Sequence, residues 1–331
     1  MRARNYTGGA MRIVFLGTPE FAVPALRTLY NAGHEIVLVV SQPDRPAGRG
    51  NALRESPVKR VAASYDLPVA QPETLARVAF EHLRACNPDV VVVVAYGAIL
   101  GRDVRALGRF GAVNLHPSLL PRHRGPAPVA SALLAGDSYT GATVMQVTAR
   151  LDSGPILGQM PEPISAGDTA ESLLSRLAVR GAVLLRETIA ALALGQVHPE
   201  TQEERLATYS RKLTRSDAAL DISAPAIEIW RRWRALQPWP GLTAVWGDRQ
   251  IELFDVAARS DRGGLRVGQI GLAVGKIRIG CGSGAIEVGR IREAGRRLVT
   301  AEEYVRGAPA IVGASIAAAS VPTPRVGTIA D

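Results

Sequence analysis

Asp89-Val90-Val91-Val92-Val93-Val94-Ala95 sets five valines in a row, between Asn87-Pro88 and Tyr96-Gly97. The run is far shorter than the roughly 20 apolar residues that cross a bilayer. Five β-branched residues without polar alternation predict a strand buried on both faces, as in a parallel sheet covered by helices. Met11-Arg12-Ile13-Val14-Phe15-Leu16-Gly17 has the same character and opens the domain, with a strand over Arg12–Gly17. Glu35–Ser41, Ala112–Leu115 and Ala142–Thr148 read as further strands. Helical stretches fall between them: Pro19–Ala32, with Phe21, Val23, Leu26 and Leu29 for packing, then Thr74–Cys86, Pro126–Ala135 and Asp168–Leu194. Ser56-Pro57 starts another that runs to about Tyr65, because Ser supplies a cap oxygen and Pro suits the first helical position. Strand and helix in alternation predict a parallel α/β sheet.

After Gly195 the pattern changes. Residues 196–212 are polar and read as a linker between a first domain over residues 11–195 and a second over residues 213–307. The second opens with a helix over Ala224–Ala235. Thr243–Trp246, Gln250–Val256, Arg266–Ala273, Lys276–Gly280 and Ala285–Arg292 follow as short strands between Gly- or Asp-rich turns. Five such strands predict a small closed or partly closed β-barrel, a scaffold that often binds nucleic acid. Residues 1–10 lack the apolar stretch of a signal peptide and read as a disordered extension. The Ala/Pro/Ser-rich residues 308–331 read as a loosely ordered tail.

The chain has 331 residues, of which 47% are hydrophobic and only 5% aromatic, so the cores must be aliphatic. Cys86 and Cys281 are too few for a disulfide framework or a four-cysteine zinc site and suit a reduced, cytoplasmic setting. No apolar run is long enough to span a membrane. Thirty-nine Lys and Arg against 30 Asp and Glu give a net charge of +9. From Leu213 onward 16 stand against 12, leaving 23 against 18 before it, so both parts are basic and a polyanionic partner is compatible with either.

Ligands of open parallel sheets bind beyond the carboxyl ends of the strands. There Ala112–Leu115 runs into His116-Pro117-Ser118-Leu119-Leu120-Pro121-Arg122-His123-Arg124-Gly125-Pro126. Strand alternation turns Asn114 and His116 to one side and Leu115 to the other, so that an amide donor and an imidazole share a face. The same pair also reads as a strand-end Asn bonding loop backbone beside a half-exposed His. Leu151-Asp152-Ser153-Gly154-Pro155 has turn chemistry, and Asp152 either forms a plain Asx-turn or orients the His116 ring. Around Arg45 and Arg49 the loop Gln42–Glu55 is rich in Pro, Gly and Arg, and reads either as a solvated surface or as a segment that orders on phosphates.

Other chemistries lack their signatures. Gly17-Thr18-Pro19-Glu20-Phe21 misses the second and third glycines of a dinucleotide fingerprint, and no phosphate-binding P-loop motif occurs. The five histidines show no zinc spacing, and there is no G-x-S-x-G elbow.

Several of these stretches carry a resemblance. Met11–Ala22, Gln42-Pro43-Asp44-Arg45-Pro46-Ala47-Gly48-Arg49-Gly50 and Ser56-Pro57-Val58-Lys59 are similar to the methionyl-tRNA formyltransferases, within the wider 10-formyltetrahydrofolate-dependent formyltransferase family. So are Asn114–Arg122, Arg124-Gly125, Leu151-Asp152-Ser153-Gly154 and Pro238-Trp239-Pro240-Gly241. The resemblance spans residues 11–307. It implies an α/β fold: a Rossmann-like open, mostly parallel sheet in the N-terminal domain, with a small OB-like β-barrel as the C-terminal domain. It implies formyl transfer from 10-formyltetrahydrofolate to the α-amino group of methionine on initiator tRNA, in a cytoplasmic monomer without a catalytic metal. By position, Asn114, His116 and Asp152 would be catalytic. Ser118, Leu119, Leu120 and Pro121 would hold the folate. Arg45, Arg49 and Lys212 would meet the tRNA. His123, Ala149-Arg150 and Ser153 depart from the family pattern, and Arg150 would put a larger charged side chain on the approach to Asp152.

Overall fold

The computed structural model describes residues 9–47 and 52–316. They divide into two compact units. The first is drawn from Met1–Val129, Ser138–Ala166 and Ser172–Arg211, and the second from Ala130–Asp137, Gly167–Glu171 and Lys212–Asp331. Residues 196–211, read in the sequence as a linker, therefore pack as part of the first unit.

Nine strands come first along the chain. They are β1 (Arg12–Gly17), β2 (Glu35–Val40), β3 (Arg45–Ala47), β4 (Ala52–Arg54), β5 (Val69–Ala70), β6 (Val90–Val94), β7 (Ala112–His116), β8 (Tyr139–Gln146) and β9 (Ile156–Pro163). Helices α1 (Val23–Asn31), α2 (Pro57–Ser64), α3 (Arg77–Ala85), α4 (Arg102–Arg105), α5 (Pro128–Ala135) and α6 (Ala170–Ala193) lie among them. Seven strands make one sheet in the order β5-β2-β1-β6-β7-β8-β9. From β5 to β7 every pairing is parallel. The last two pairings, β7 with β8 and β8 with β9, are antiparallel. The expected Rossmann-like, mostly parallel sheet is present.

The valine run is buried on both faces, as are Ile13–Leu16 of β1. Each such apolar side chain contributes about 1.5–3 kcal/mol by leaving water. Ser56 caps α2, accepting from the Lys59 N–H at 3.1 Å. The helical stretch expected over Asp168–Leu194 is the single α6. Gly181 lets it lie close to the sheet, since an added Cβ would come within 3.1 Å of a Leu115 methyl.

The sequence reading missed β9. Its Gly158, Pro161 and Pro163 are poor strand formers, tolerated because β9 is an edge strand. It also missed the β3–β4 hairpin inside the loop Gln42–Glu55.

The second unit contains α7 (Ala226–Ala235), β10 (Thr243–Trp246), β11 (Arg249–Arg259), β12 (Ile270–Ala273), β13 (Lys276–Gly280), β14 (Ala285–Glu293), β15 (Leu298–Thr300) and α8 (Ala301–Gly307). Its strands pair antiparallel in the order β10-β11-β14-β13-β12, with β15 also on β14. They form a curled half-barrel of the OB-like type, with six strands where five were expected. Ile251, Leu253, Ile277, Ile279, Ile286, Val288 and Ile291 fill its core, and Trp233 and Trp246 pack against it. Part of the expected loose tail is ordered. Ile311 and Ile316 are buried, and the Ile270 N–H donates to the Ala314 carbonyl at 2.9 Å. Residues 1–8 and 317–331 lie outside the described residues.

Candidate active site

β7 lies where the sheet changes from parallel to antiparallel, with Asn114 opposite Val93 of β6 on one side and Met145 of β8 on the other. Leu115 packs toward Gly181 of α6, so the pleat turns Asn114 and His116 to the opposite face. Asn114 is half-buried, and among the described residues its carboxamide has no hydrogen-bond partner. It is a donor left available.

His116 is buried at the end of β7. Its Nε2 lies 3.1 Å from the His123 carbonyl oxygen, which can only accept, so Nε2 carries the hydrogen and Nδ1 keeps its lone pair. Nδ1 faces Asp152 Oδ2 across 3.7 Å. The structure brings this imidazole and this carboxylate close together, although they are 36 positions apart in the chain. Burial pushes the His116 pKa below its ordinary value, and the Asp152 charge acts in the opposite direction. The resting ring is neutral, and a proton arriving at Nδ1 would meet a carboxylate.

Asp152 sits in the left-handed region at φ 47° and accepts from the Gly125 N–H through Oδ2 at 2.7 Å. Gly154 is required two residues on, because a Cβ there would strike the Gln146 carbonyl oxygen. Leu151 and Asp152 do form a turn, and the Asp152 carboxylate is held by the Gly125 N–H rather than by the turn's own backbone. Arg150 is directed to Glu204 at 2.8 Å, so its charge is engaged there.

The stretch Ser118–Pro121 is fixed from below. Thr143, opposite His116 in register, donates to the Ser118 carbonyl at 2.6 Å and accepts from the Leu120 N–H at 3.2 Å. Gln159 donates to the Leu120 carbonyl at 2.9 Å. Ser118 and Leu120 are buried, while Leu119 and Pro121 are half-buried. What this stretch offers a ligand is its backbone and the second pair of side chains.

Sequence reasoning missed the residues behind Asp152. Arg124 is fully buried. It donates to Gln202 Oε1 at 3.0 and 2.9 Å, to both Glu204 carboxylate oxygens at 3.0 Å and to the Tyr209 hydroxyl at 3.1 Å. Gln202 Nε2 donates in turn to the Asp152 and Gly154 carbonyls at 2.9 and 2.8 Å. Arg124 belongs to a quoted motif, but nothing in the polar run around Gln202 signals a buried partner.

Of the cationic candidates, Arg45 is exposed at the start of the β3–β4 hairpin and Lys212 is exposed at the start of the second unit's last segment. Arg49 lies outside the described residues. Lys59 secures the base of the hairpin, 2.5 Å from Asp44 and 3.2 Å from Glu55, and its hydrogen bond holds the Asp44 carboxyl below the usual range. Among the described residues no group of three or more His, Cys, Asp or Glu could hold a metal, and no helix is long and apolar enough to cross a membrane.

A family model described as formyl transferase matches residues 11–189, and one described as formyl transferase, C-terminal domain, matches residues 212–309. The chain belongs to the formyl transferase family. Among formyl transferases it is 46% identical over 305 residues to a methionyl-tRNA formyltransferase of Halorhodospira halophila, covering 92% of this chain and 98% of the relative. It is 42% identical to a methionyl-tRNA formyltransferase of Herpetosiphon aurantiacus, with 90% and 98% covered. A crystal structure of an N-formyltransferase from Helicobacter canadensis, in complex with folinic acid and dTDP-3-aminofucose, superposes with a TM-score of 0.65. It has 16% identity and covers 85% of this chain and 98% of the other, a likeness of fold.

Proposed function

We propose that this formyl transferase moves the formyl group of 10-formyltetrahydrofolate onto the α-amino group of methionine carried by initiator tRNA, leaving tetrahydrofolate and N-formylmethionyl-tRNA. The observation that carries this reading is the likeness to methionyl-tRNA formyltransferases over 92% of the chain, through both units. The basic balance of both parts supports a polyanionic substrate.

The chemistry matches the site. The amine lone pair forms a bond to the formyl carbon, and the carbonyl pair moves onto oxygen. The amine loses a proton, the bond from carbon to the folate nitrogen breaks, and that nitrogen leaves with a proton. Asn114 is the donor for the oxyanion. Preplaced donors of this kind are worth about a hundredfold to a thousandfold in rate. The His116 Nδ1 lone pair takes part in moving the proton, and Asp152 stabilises the imidazolium that forms. Ser118–Pro121 holds the folate, and Arg45, Arg49 and Lys212 meet tRNA phosphates. The enzyme works in the cytoplasm, where charged tRNA is used, as a monomer.

The test offers labelled 10-formyltetrahydrofolate with charged initiator tRNA in one reaction and glycinamide ribonucleotide in another. Label is expected on the methionine amine alone. Label on the small amine alone would reject the reading.

A further inference from the structure

We infer that Arg124 and Gln202 are positioning residues that set the Asp152 carboxylate against His116, an inference that rests on the role proposed for Asp152 above. A fully buried guanidinium is expensive unless its donors are met, and Arg124 places them on Gln202, Glu204 and Tyr209. The Gln202 carboxamide has one oxygen and one NH2. Because Arg124 claims the oxygen twice, the NH2 must point the other way, where it meets the carbonyls of Asp152 and Gly154. The cation thus fixes the amide's orientation, and its charge strengthens the amide as a donor.

This relay grips an unfavourable turn. Asp152 holds φ 47°, a conformation that costs a non-glycine residue free energy and persists only where its surroundings over-determine it. Two hydrogen bonds from one amide to the carbonyls at 152 and 154 supply that constraint. The residue after Arg124 completes it, since the Gly125 N–H binds Asp152 Oδ2 directly. Arg124 is itself fixed at the backbone, donating to the Thr208 carbonyl at 2.9 Å and accepting from the Ser210 N–H at 2.7 Å. Residues 200–210 are therefore a brace behind the Asp152 turn.

Gln202→Glu is the informative change. It is nearly isosteric and keeps a partner for Arg124, but it cannot donate to either carbonyl. Kinetics and the His116 imidazole pKa, followed by NMR, are measured for the wild type, Gln202→Glu, Asp152→Asn and the double variant. The expected result is a fall in kcat of about tenfold or more for Gln202→Glu with KM for both substrates little changed, and no further loss when it is added to Asp152→Asn. The His116 pKa is expected to fall in Gln202→Glu, in the same direction as expected for Asp152→Asn, since the Asp152 charge raises it. The groups facing this ring are Asp152 and His123, and a new carboxylate alone would raise its pKa, so a fall reports displacement of Asp152. A folded Gln202→Glu enzyme with an unchanged or raised His116 pKa overturns the relay, as does full additivity in the double variant. Asp152→Asn at wild-type turnover would instead reject the role of Asp152 in the reaction, and the NMR shift would then decide the relay on its own.

Discussion

Asn114 is the residue on which the chemistry is most directly testable. An amide without a partner among the described residues, beside a buried imidazole, has few structural reasons to be there, so its loss should cost turnover and leave the fold intact. We expect Asn114→Ala to lower kcat about a hundredfold to a thousandfold, with a thermal midpoint near that of the wild type. Wild-type turnover in that variant would reject the oxyanion role. Asn114 and His116 were legible in the sequence because a period of two puts them on one face and the strand's carboxyl end puts that face at a ligand site. The Asp152–His116 approach was not legible as more than an alternative. A backbone turned to positive φ and a neighbour far along the chain leave no local trace. Arg124 was visible only as part of a motif. Its burial depends on Gln202, and a polar residue in a polar run carries no signal that it will be enclosed.

At the scale of elements, the strands with continuous β-branched runs were read nearly to the residue, since burial on both faces leaves a plain pattern. The elements that escaped are short or at an edge: the edge strand β9, the two-residue β5, the hairpin β3–β4, the four-residue helix α4, and the strand β15 with the helix α8 that follows it. The half-barrel shows a different kind of hold. Glu287 on β14 is buried and receives Arg259, at the end of β11, at 2.7 Å and Arg278 of β13 at 2.6 Å, with Lys276 of β13 3.9 Å away. These partners, the Arg259 hydrogen bond foremost, bring the Glu287 carboxyl down to about 2 from 4.5. A carboxyl whose pKa is depressed on folding stabilises fully above its unfolded value and loses that contribution as pH falls toward its folded one. Glu287→Gln is therefore expected to destabilise the protein by roughly 1–2 kcal/mol near neutral pH, because it removes the charge that the partly exposed Arg259 and Arg278 meet at a buried position. Calorimetry from pH 7 to pH 2 should show the variant and wild type converging below about pH 4. A constant gap across that range would mean the charge of Glu287 contributes nothing.

For the whole molecule, the surplus of positive charge predicts which substrate is sensitive to salt. Each phosphate met by a Lys or Arg releases condensed counterions, so binding of a tRNA weakens steeply with ionic strength while binding of a folate changes little. Between about 50 and 200 mM salt, KM for charged tRNA should rise by an order of magnitude or more, and KM for 10-formyltetrahydrofolate by less than about twofold. Equal shifts in the two constants would remove the electrostatic account of tRNA binding. The two-domain plan itself was plain from the change in pattern after Gly195, but the place where one part ends was not. The polar stretch that looks like a tether on paper lies against Arg124 and the Asp152 turn. A fragment cut after Gly195 would keep every side chain assigned to the reaction and lose what holds one of them in place. For anyone shortening this protein, residues 196–211 have to stay with the first unit.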